Sequence, residues 1–235
     1  MKDKATLVKN IFSSVASNYD LMNNVMSLGV HHLWKDKFIE LLPDYSKSLL
    51  DVAGGTGDIA SRYYKKAKAR RLEPQITICD INPEMIKVGR DKLIDNNILY
   101  PIDFIVGDAQ KLPFDDMSYD YYTISFGIRN VTDISLALSE AYRVIKPGGK
   151  FMCLEFSHPT NACFAKIYDS YSNLIPFIGE VVAGNKEAYK YLVDSIRAFP
   201  KQETFASMMR DAGFVHVEYQ NLTNGVVAIH CGYKI

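Results

Sequence analysis

Leu49-Leu50-Asp51-Val52-Ala53-Gly54-Gly55-Thr56-Gly57-Asp58 runs from an apolar stretch into a cluster of glycines, and this segment decides the fold. A strand that empties into glycines and then opens a helix lets a ligand approach bare backbone, while the helix amino end favours a carboxylate. Outward from it, short apolar runs alternate with helical stretches, the pattern of a parallel sheet covered on both faces. Strands are expected at Ser48 to Val52, Gln75 to Asp80, Ile102 to Gly107, Tyr119 to Phe126 and Gly149 to Phe156. Helices are expected near Gly57 to Arg70, Pro83 to Ile94 and Asp133 to Ile145. Pro83 suits a first helical position, where its missing N–H is not needed. Lys146-Pro147-Gly148-Gly149 reads as the end of a helix turning into the next strand.

The chain closes differently. Phe214 to Gln220 and Gly225 to Tyr233 read as strands joined only by Asn221-Leu222-Thr223-Asn224. Such a link permits a hairpin but no parallel crossover, which needs a dozen or more residues. The expected fold class is therefore α/β, a seven-stranded, mostly parallel, Rossmann-like sheet with the last strand antiparallel. Before the first strand, Val8, Ile11, Phe12, Val15, Ala16 and Tyr19 form one apolar helical face. Between the fifth strand and the final helix, Asn161 to Lys201 carries an apolar and aromatic cluster including Tyr168, Tyr171, Leu174 and Phe177. We therefore expect one domain over 1–235, with an amino-terminal helical cover over 1–45 and a helical insertion, or lid, over 157–200. Both would lie over the carboxyl edge of the sheet, where open α/β folds bind ligands.

Composition narrows the function. With 235 residues, 48% hydrophobic and 23% charged, the chain can bury a substantial core. Lys plus Arg equals Asp plus Glu at 27 each, so no global basic field draws nucleic acid. The first residues lack a secretory h-region, and no stretch offers about 18 uninterrupted apolar residues for a membrane span, so a cytoplasmic protein is expected. Cys79, Cys153, Cys163 and Cys231 are far apart, without zinc-ligand spacing, and read as reduced apolar residues; no metal is expected. His31-His32 beside Trp34 reads as a helical amphipathic surface.

Gly55-Thr56-Gly57-Asp58-Ile59-Ala60 also fits the loose G-x-G-x-x-A dinucleotide pattern, so the glycine loop alone leaves two cofactors open. Asp80 ends the second strand, where a carboxylate takes ribose hydroxyls, and suits either. Asp108 after the third strand can accept from an adenine amine while Ala109 supplies a backbone N–H, and dinucleotide folds ask for no acid there. Asp51 and Asp58 flank the loop with negative charge, which suits a sulfonium and an amino group and repels a pyrophosphate. Taken singly, Asp80 is as well explained as a helix cap and Asp108 as a turn residue satisfying its own backbone. Acids at successive strand ends, in register with one nucleoside, favour S-adenosylmethionine.

Along nearly its whole length the chain resembles the ubiquinone/menaquinone biosynthesis C-methyltransferase family. The likeness rests on Val8 to Asp20, Asp51 to Asp58, Arg143 to Gly149, Asn221 to Gly225, and above all Ser125-Phe126-Gly127-Ile128-Arg129-Asn130-Val131. The resemblance implies the class I S-adenosylmethionine-dependent methyltransferase fold, whose seven-stranded sheet ends in an antiparallel strand. It implies cofactor contacts at Thr56, Asp80, Asp108, Ala109 and Ser125, beside Asp51 and Gly55 of the loop. It implies methyl transfer to a ring carbon of a polyprenyl benzoquinol or demethylmenaquinol. Arg129 and Asn130 are the expected chemical centre, Arg129 to stabilise a phenolate or orient a water and Asn130 to fix that water or a second ring oxygen; on position alone, Arg129 is equally well read as bracing its loop by pairing with Asp133. A polyprenyl quinol is the expected partner, with other quinone-biosynthesis enzymes; peripheral contact at the inner face of the membrane, and a homodimer, stay open. Two competing functions are an NAD-dependent oxidoreductase and a catalytically inactive, lipid-binding methyltransferase-like subunit.

Overall fold

The computed structural model describes residues 29–98, 102–183 and 186–235, together with Asn24 and Ser27. The apolar helical face from Val8 to Tyr19 lies outside the described residues. Helix α1 (His31–Glu40) leads to β1 (Leu49–Val52), α2 (Asp58–Ala69), β2 (Ile76–Asp80), α3 (Pro83–Asp95) and β3 (Asp103–Val106). Strand β4 (Tyr119–Ser125) passes through a 3-10 turn, Ile128–Asn130, to α4 (Ile134–Val144) and β5 (Ile145–Phe156). Helices α5 (Ala162–Ala183), α6 (Lys186–Ala198) and α7 (Gln202–Asp211) precede β6 (Val215–Leu222) and β7 (Val227–Tyr233).

The seven strands form one sheet in the order β3-β2-β1-β4-β5-β7-β6. Strand β7 is antiparallel to β5 and β6, and the other pairs are parallel. The short β6–β7 link dictates that exception, because it can only fold back. Alternation within β1 separates two cores. Leu49 joins Phe38, Tyr63, Ile78 and Tyr189 on one face, and Leu50 and Val52 join Ile124, Leu138, Phe151 and Phe205 on the other. Asp51 is left on the Leu49 face of a fully buried strand.

Local chemistry sets the boundaries. Asn82 caps α3 by accepting from Glu84 N at 3.0 Å, with Pro83 following. Asp133 caps α4 by accepting from Leu136 N at 3.0 Å. Some boundaries differ from expectation: β6 runs on through Asn221 and Leu222, and β7 starts at Val227. Strand β4 stops at Ser125, because Phe126 turns into the left-handed region at φ 55°. The expected turn at Lys146 to Gly149 lies inside β5, which starts at Ile145 opposite Tyr119 and slips register before Tyr121 pairs with Lys150. A proline costs no ladder bond at such an irregularity. Helix α1 also differs, since His31 and Trp34 are buried rather than on a surface. Trp34 packs on Phe126 and Phe156 and donates from Nε1 to Thr223 Oγ1 at 2.9 Å.

One contact sets how closely α3 lies on the glycine loop. A methyl added at Gly89 would sit 2.7 Å from the Gly55 carbonyl oxygen and 3.1 Å from the Thr56 carbonyl carbon. These are backbone atoms and cannot swing aside. Ala is the better helix former by about 1 kcal/mol, yet Gly89→Ala should lower stability by about 1–3 kcal/mol through overpacking. Urea unfolding measures this, and a stabilised variant would show that the loop yields to α3.

Candidate functional site

The order of strands turns back between β1 and β4, and in open α/β sheets the carboxyl ends flanking such a reversal form the binding crevice. A cavity of about 90 Å³ opens there. Of the residues singled out in the sequence, Gly55, Asp80, Asp108, Ala109 and Asn130 line it. Asp51, Thr56, Ser125 and Arg129 are not part of its lining.

Asp80 is an acceptor for the loop. Its Oδ2 accepts from Gly55 N at 2.9 Å and its Oδ1 from Asn82 N at 2.8 Å, while Gly55 holds φ 51°, a region glycine enters freely. Asn82, not Asp80, caps α3. Burial pushes the Asp80 carboxyl up to about 6 against the pull of those two N–H groups. Asp108 accepts from Gln110 N at 2.9 Å, so it satisfies its own turn while still lining the cavity. Gln110 then joins two strand ends, its Nε2 on Asp108 Oδ1 at 3.2 Å and its Oε1 accepting from Asp133 N at 2.9 Å.

Asp51 is fully buried beneath the loop, where a methyl added at Gly54 would come within 2.9 Å of its Oδ2. Oδ1 accepts from Thr123 Oγ1 at 2.9 Å, and Oδ2 has no hydrogen-bond partner among the described residues. Burial, then the charges of Asp58 and Asp80, push this carboxyl up to about 7 despite the Thr123 bond. A buried, half-satisfied carboxylate beside a second buried acid fits a cationic ligand and disfavours a pyrophosphate. The donor set therefore fits S-adenosylmethionine. Asp58 does not share that work as expected. It binds Lys35 at 2.8 Å and Arg62 at 3.0 Å, and these cations hold its carboxyl well below the usual range against the effect of burial.

Arg129 is likewise turned away from the cavity. Its guanidinium is paired with Glu155 Oε1 at 2.8 Å, both side chains nearly inaccessible, and also donates to the Phe126 carbonyl. Its backbone N–H donates to Glu155 Oε2 at 3.3 Å. Burial holds the Glu155 carboxyl above its ordinary value even with the arginine beside it. The expected loop-bracing partner Asp133 is instead the cap of α4. Asn130 does reach the cavity, and its Oδ1 accepts from Tyr191 Oη on α6 at 3.2 Å. Tyr168 and Tyr171 of the aromatic cluster in the insertion pack against the Leu49-side core.

Sequence reasoning passed over Glu155, Gln110 and Tyr191. Glu155 left a signal, a single acid in Met152-Cys153-Leu154-Glu155-Phe156, since a charge in a buried strand demands a partner. Tyr191 left none, being one tyrosine in an amphipathic helix.

Residues 1–234 match the ubiE/COQ5 methyltransferase family. The chain belongs to that family. A curated relative from Rickettsia prowazekii, a ubiquinone/menaquinone biosynthesis C-methyltransferase, is 54% identical over 99% of this chain and 94% of its own. Among solved structures, a possible histamine N-methyltransferase from Thermotoga maritima superposes with TM-score 0.67 at 19% identity, covering 97% of this chain and 99% of that one. A Haemonchus contortus phosphoethanolamine N-methyltransferase, solved with S-adenosylhomocysteine, gives TM-score 0.56 at 17% identity over 80% of this chain and 48% of that one. The fold is thus that of the class I S-adenosylmethionine-dependent methyltransferases.

Asp51 supplies a pH test. Its folded pKa of about 7 exceeds the usual 3.8, so the folded chain holds a proton that the unfolded chain has released. The stability this gives is whole below about pH 4 and is lost as pH rises through about 7. Asp51→Asn removes the titration, so its stability relative to the parent should climb by about 2–4 kcal/mol between pH 4 and 8. Thermal unfolding across that range reads the difference, and a flat difference refutes the buried, raised carboxyl.

Proposed function

We infer that this protein transfers a methyl group from S-adenosylmethionine to a ring carbon of a polyprenyl quinol, a benzoquinol or demethylmenaquinol, in ubiquinone or menaquinone biosynthesis. The supporting observation is the cavity at the strand reversal, lined by Asp80 and Asp108 from two strand ends and Asn130 from a third. The chain-long likeness to curated C-methyltransferases supports the acceptor class. Neither the oxidoreductase nor the inactive subunit gains support, because the family is one of methyltransferases.

Bound S-adenosylmethionine supplies an electrophilic methyl on a sulfonium. For its part, the chain offers Asp80 to ribose hydroxyls, Asp108 and the Ala109 N–H to adenine, and Asp51 as a counter-charge beneath the loop. The acceptor carbon becomes nucleophilic when a ring hydroxyl ionises. With tyrosine's value of about 10 as a guide, holding it ionised near neutral pH requires about 4 kcal/mol. Asn130, which with Thr132 supplies polar groups on the far side of the cavity from the acids by strand order, would hold that ring oxygen. Arg129 serves differently from expectation: locked to Glu155 and to the Phe126 carbonyl, it fixes the turn that carries Asn130. After methyl transfer the ring carbon gives up its proton and the ring regains its hydroxyl form.

Purified protein with S-adenosylmethionine and short-tailed benzoquinols or naphthoquinols should yield product carrying a methyl on ring carbon by mass spectrometry. Protein that binds S-adenosylhomocysteine yet methylates no quinol would remove the acceptor assignment. In the same assay, Arg129→Ala should lose turnover and about 3–5 kcal/mol of stability, because Glu155 is left buried and uncompensated. Adding Glu155→Gln should recover the stability but not the turnover; recovery of both would reduce Arg129 to a stabilising residue.

No helix among the described residues is long and apolar enough to cross a membrane. A polyprenyl tail nevertheless has to be reached, and α5 exposes Leu174 by 59% and Phe177 by 65%. Lys186 lies 5.6 Å above the Phe177 ring. Exposed apolar side chains support a peripheral contact with a bilayer, to which Lys186, paired with Glu180 at 3.0 Å, adds little net charge. The protein should co-sediment with lipid vesicles, less so after Leu174→Ser with Phe177→Ser, whereas absence of co-sedimentation speaks against the contact.

A further inference from the structure

Asn130 and Tyr191 are 61 residues apart in the chain and meet at 3.2 Å, phenol hydroxyl to amide oxygen. Among the described residues, Tyr191 is the hydrogen-bond partner of the Asn130 side chain. The turn that presents Asn130 is rigid: Asn130 N donates to the Gly127 carbonyl at 3.0 Å, and the Arg129 and Glu155 pair is buried behind it. The side-chain amide, by contrast, has a free χ2 unless something holds it. A primary amide carries an acceptor oxygen and a donor NH2, and it can serve an anionic ring oxygen only with the NH2. If the amide turned over, its oxygen would meet the phenolate and repel it.

We propose that Tyr191 is a positioning residue for the methyl acceptor, occupying Asn130 Oδ1 so that the Asn130 NH2 is left to donate to the ring oxygen of the quinol. This rests on the quinol reading given above. The surroundings suit the task. Burial raises the Tyr191 phenol above its ordinary value, so it remains a protonated donor across neutral pH; Arg129 acts in the opposite sense and Glu155 adds to the rise. Tyr191 is half-buried on α6, in the insertion between β5 and β6, whereas Asn130 lines the cavity with Asp80 and Asp108. This hydrogen bond joins the insertion to the wall of the cofactor cavity, beside the apolar cluster that Phe126 shares with Tyr189 and Leu192, and a helix otherwise read as cover takes part in orienting the acceptor.

Tyr191→Phe keeps the ring and its packing and removes the donor. It should leave S-adenosylhomocysteine affinity within about twofold and lower kcat/KM for the quinol about tenfold, the worth of one hydrogen bond to a charged oxygen. The acidic limb of its kcat profile should move to higher pH, because the bound quinol then ionises with less help. A purely structural tyrosine would move neither the limb nor the reaction step selectively. In an Asn130→Ala background, Tyr191→Phe should add no further loss. Wild-type kcat/KM and pH profile in Tyr191→Phe overturn the proposal, as does a loss that multiplies with that of Asn130→Ala. Wild-type protein that methylates no quinol strikes at the acceptor reading instead, and hydrogen exchange of α6 then decides the link. Equal loosening in Tyr191→Phe, Asn130→Ala and the double variant upholds it, and unchanged α6 protection overturns it.

Discussion

The backbone of the β1–α2 loop at Gly55 and Thr56 lies where no side chain at position 89 of α3 can stand. Gly89 presents bare backbone to the Gly55 carbonyl, with only 2.7 Å available to a methyl. Everything about the site follows from that approach. With α3 this close, the Asn82 cap and the end of β2 come alongside the loop, and Asp80 can accept from Gly55 and Asn82 at once. Hydrogen bonds to a charged acceptor contribute about 1.5–3 kcal/mol each, which offsets part of the cost of keeping that carboxylate out of water. The remainder appears as its raised pKa, and Asp51 beneath the same loop carries a larger rise, because burial acts there together with the charges of Asp58 and Asp80. The fold thus gathers two acids whose ionisation is opposed by burial at the loop to which the proposed function assigns the sulfonium cofactor. Binding affinity and stability of the unliganded chain draw on the same electrostatic term with opposite signs.

That half of the site was legible in the chain because its parts are local. A strand, a glycine turn and a helix in succession fix where Asp51, Gly55 and Asp80 stand, and Asn82-Pro83 announces the helix that presses on the loop. Asp108 could be placed by its strand end alone. The hairpin from Phe214 to Tyr233 was equally readable, because four linking residues exclude every alternative to an antiparallel pair. Charge was harder. Asp58 looks free when the loop is read by itself, but its partner Lys35 lies 23 residues earlier, on a helix whose burial of His31 and Trp34 was not visible either. Glu155 is 26 residues beyond Arg129 and on β5, whereas Arg129 lies in the turn after β4. A sequence shows which side chains carry charge; which charges cancel is decided by packing between elements distant along the chain.

The cancellation at Arg129 alters how the chemistry is organised. An arginine facing a quinolate would stabilise it strongly, but would also bind it in the ground state and offer the cofactor's sulfonium a like charge. Pairing the guanidinium with Glu155 removes net charge from that wall and converts the arginine into a clamp on Phe126 to Asn130. The same short turn then carries two unlike surfaces: the Phe126 ring, which lines the cavity and packs against Trp34 and Phe156, and the neutral amide of Asn130. A neutral donor gains most from the oxygen as charge develops on it, and gains little from the un-ionised hydroxyl. Because Tyr191 reaches that amide from the insertion, the donor orientation proposed for Asn130 depends on the placement of α6 as well as on the turn, without any residue changing its charge.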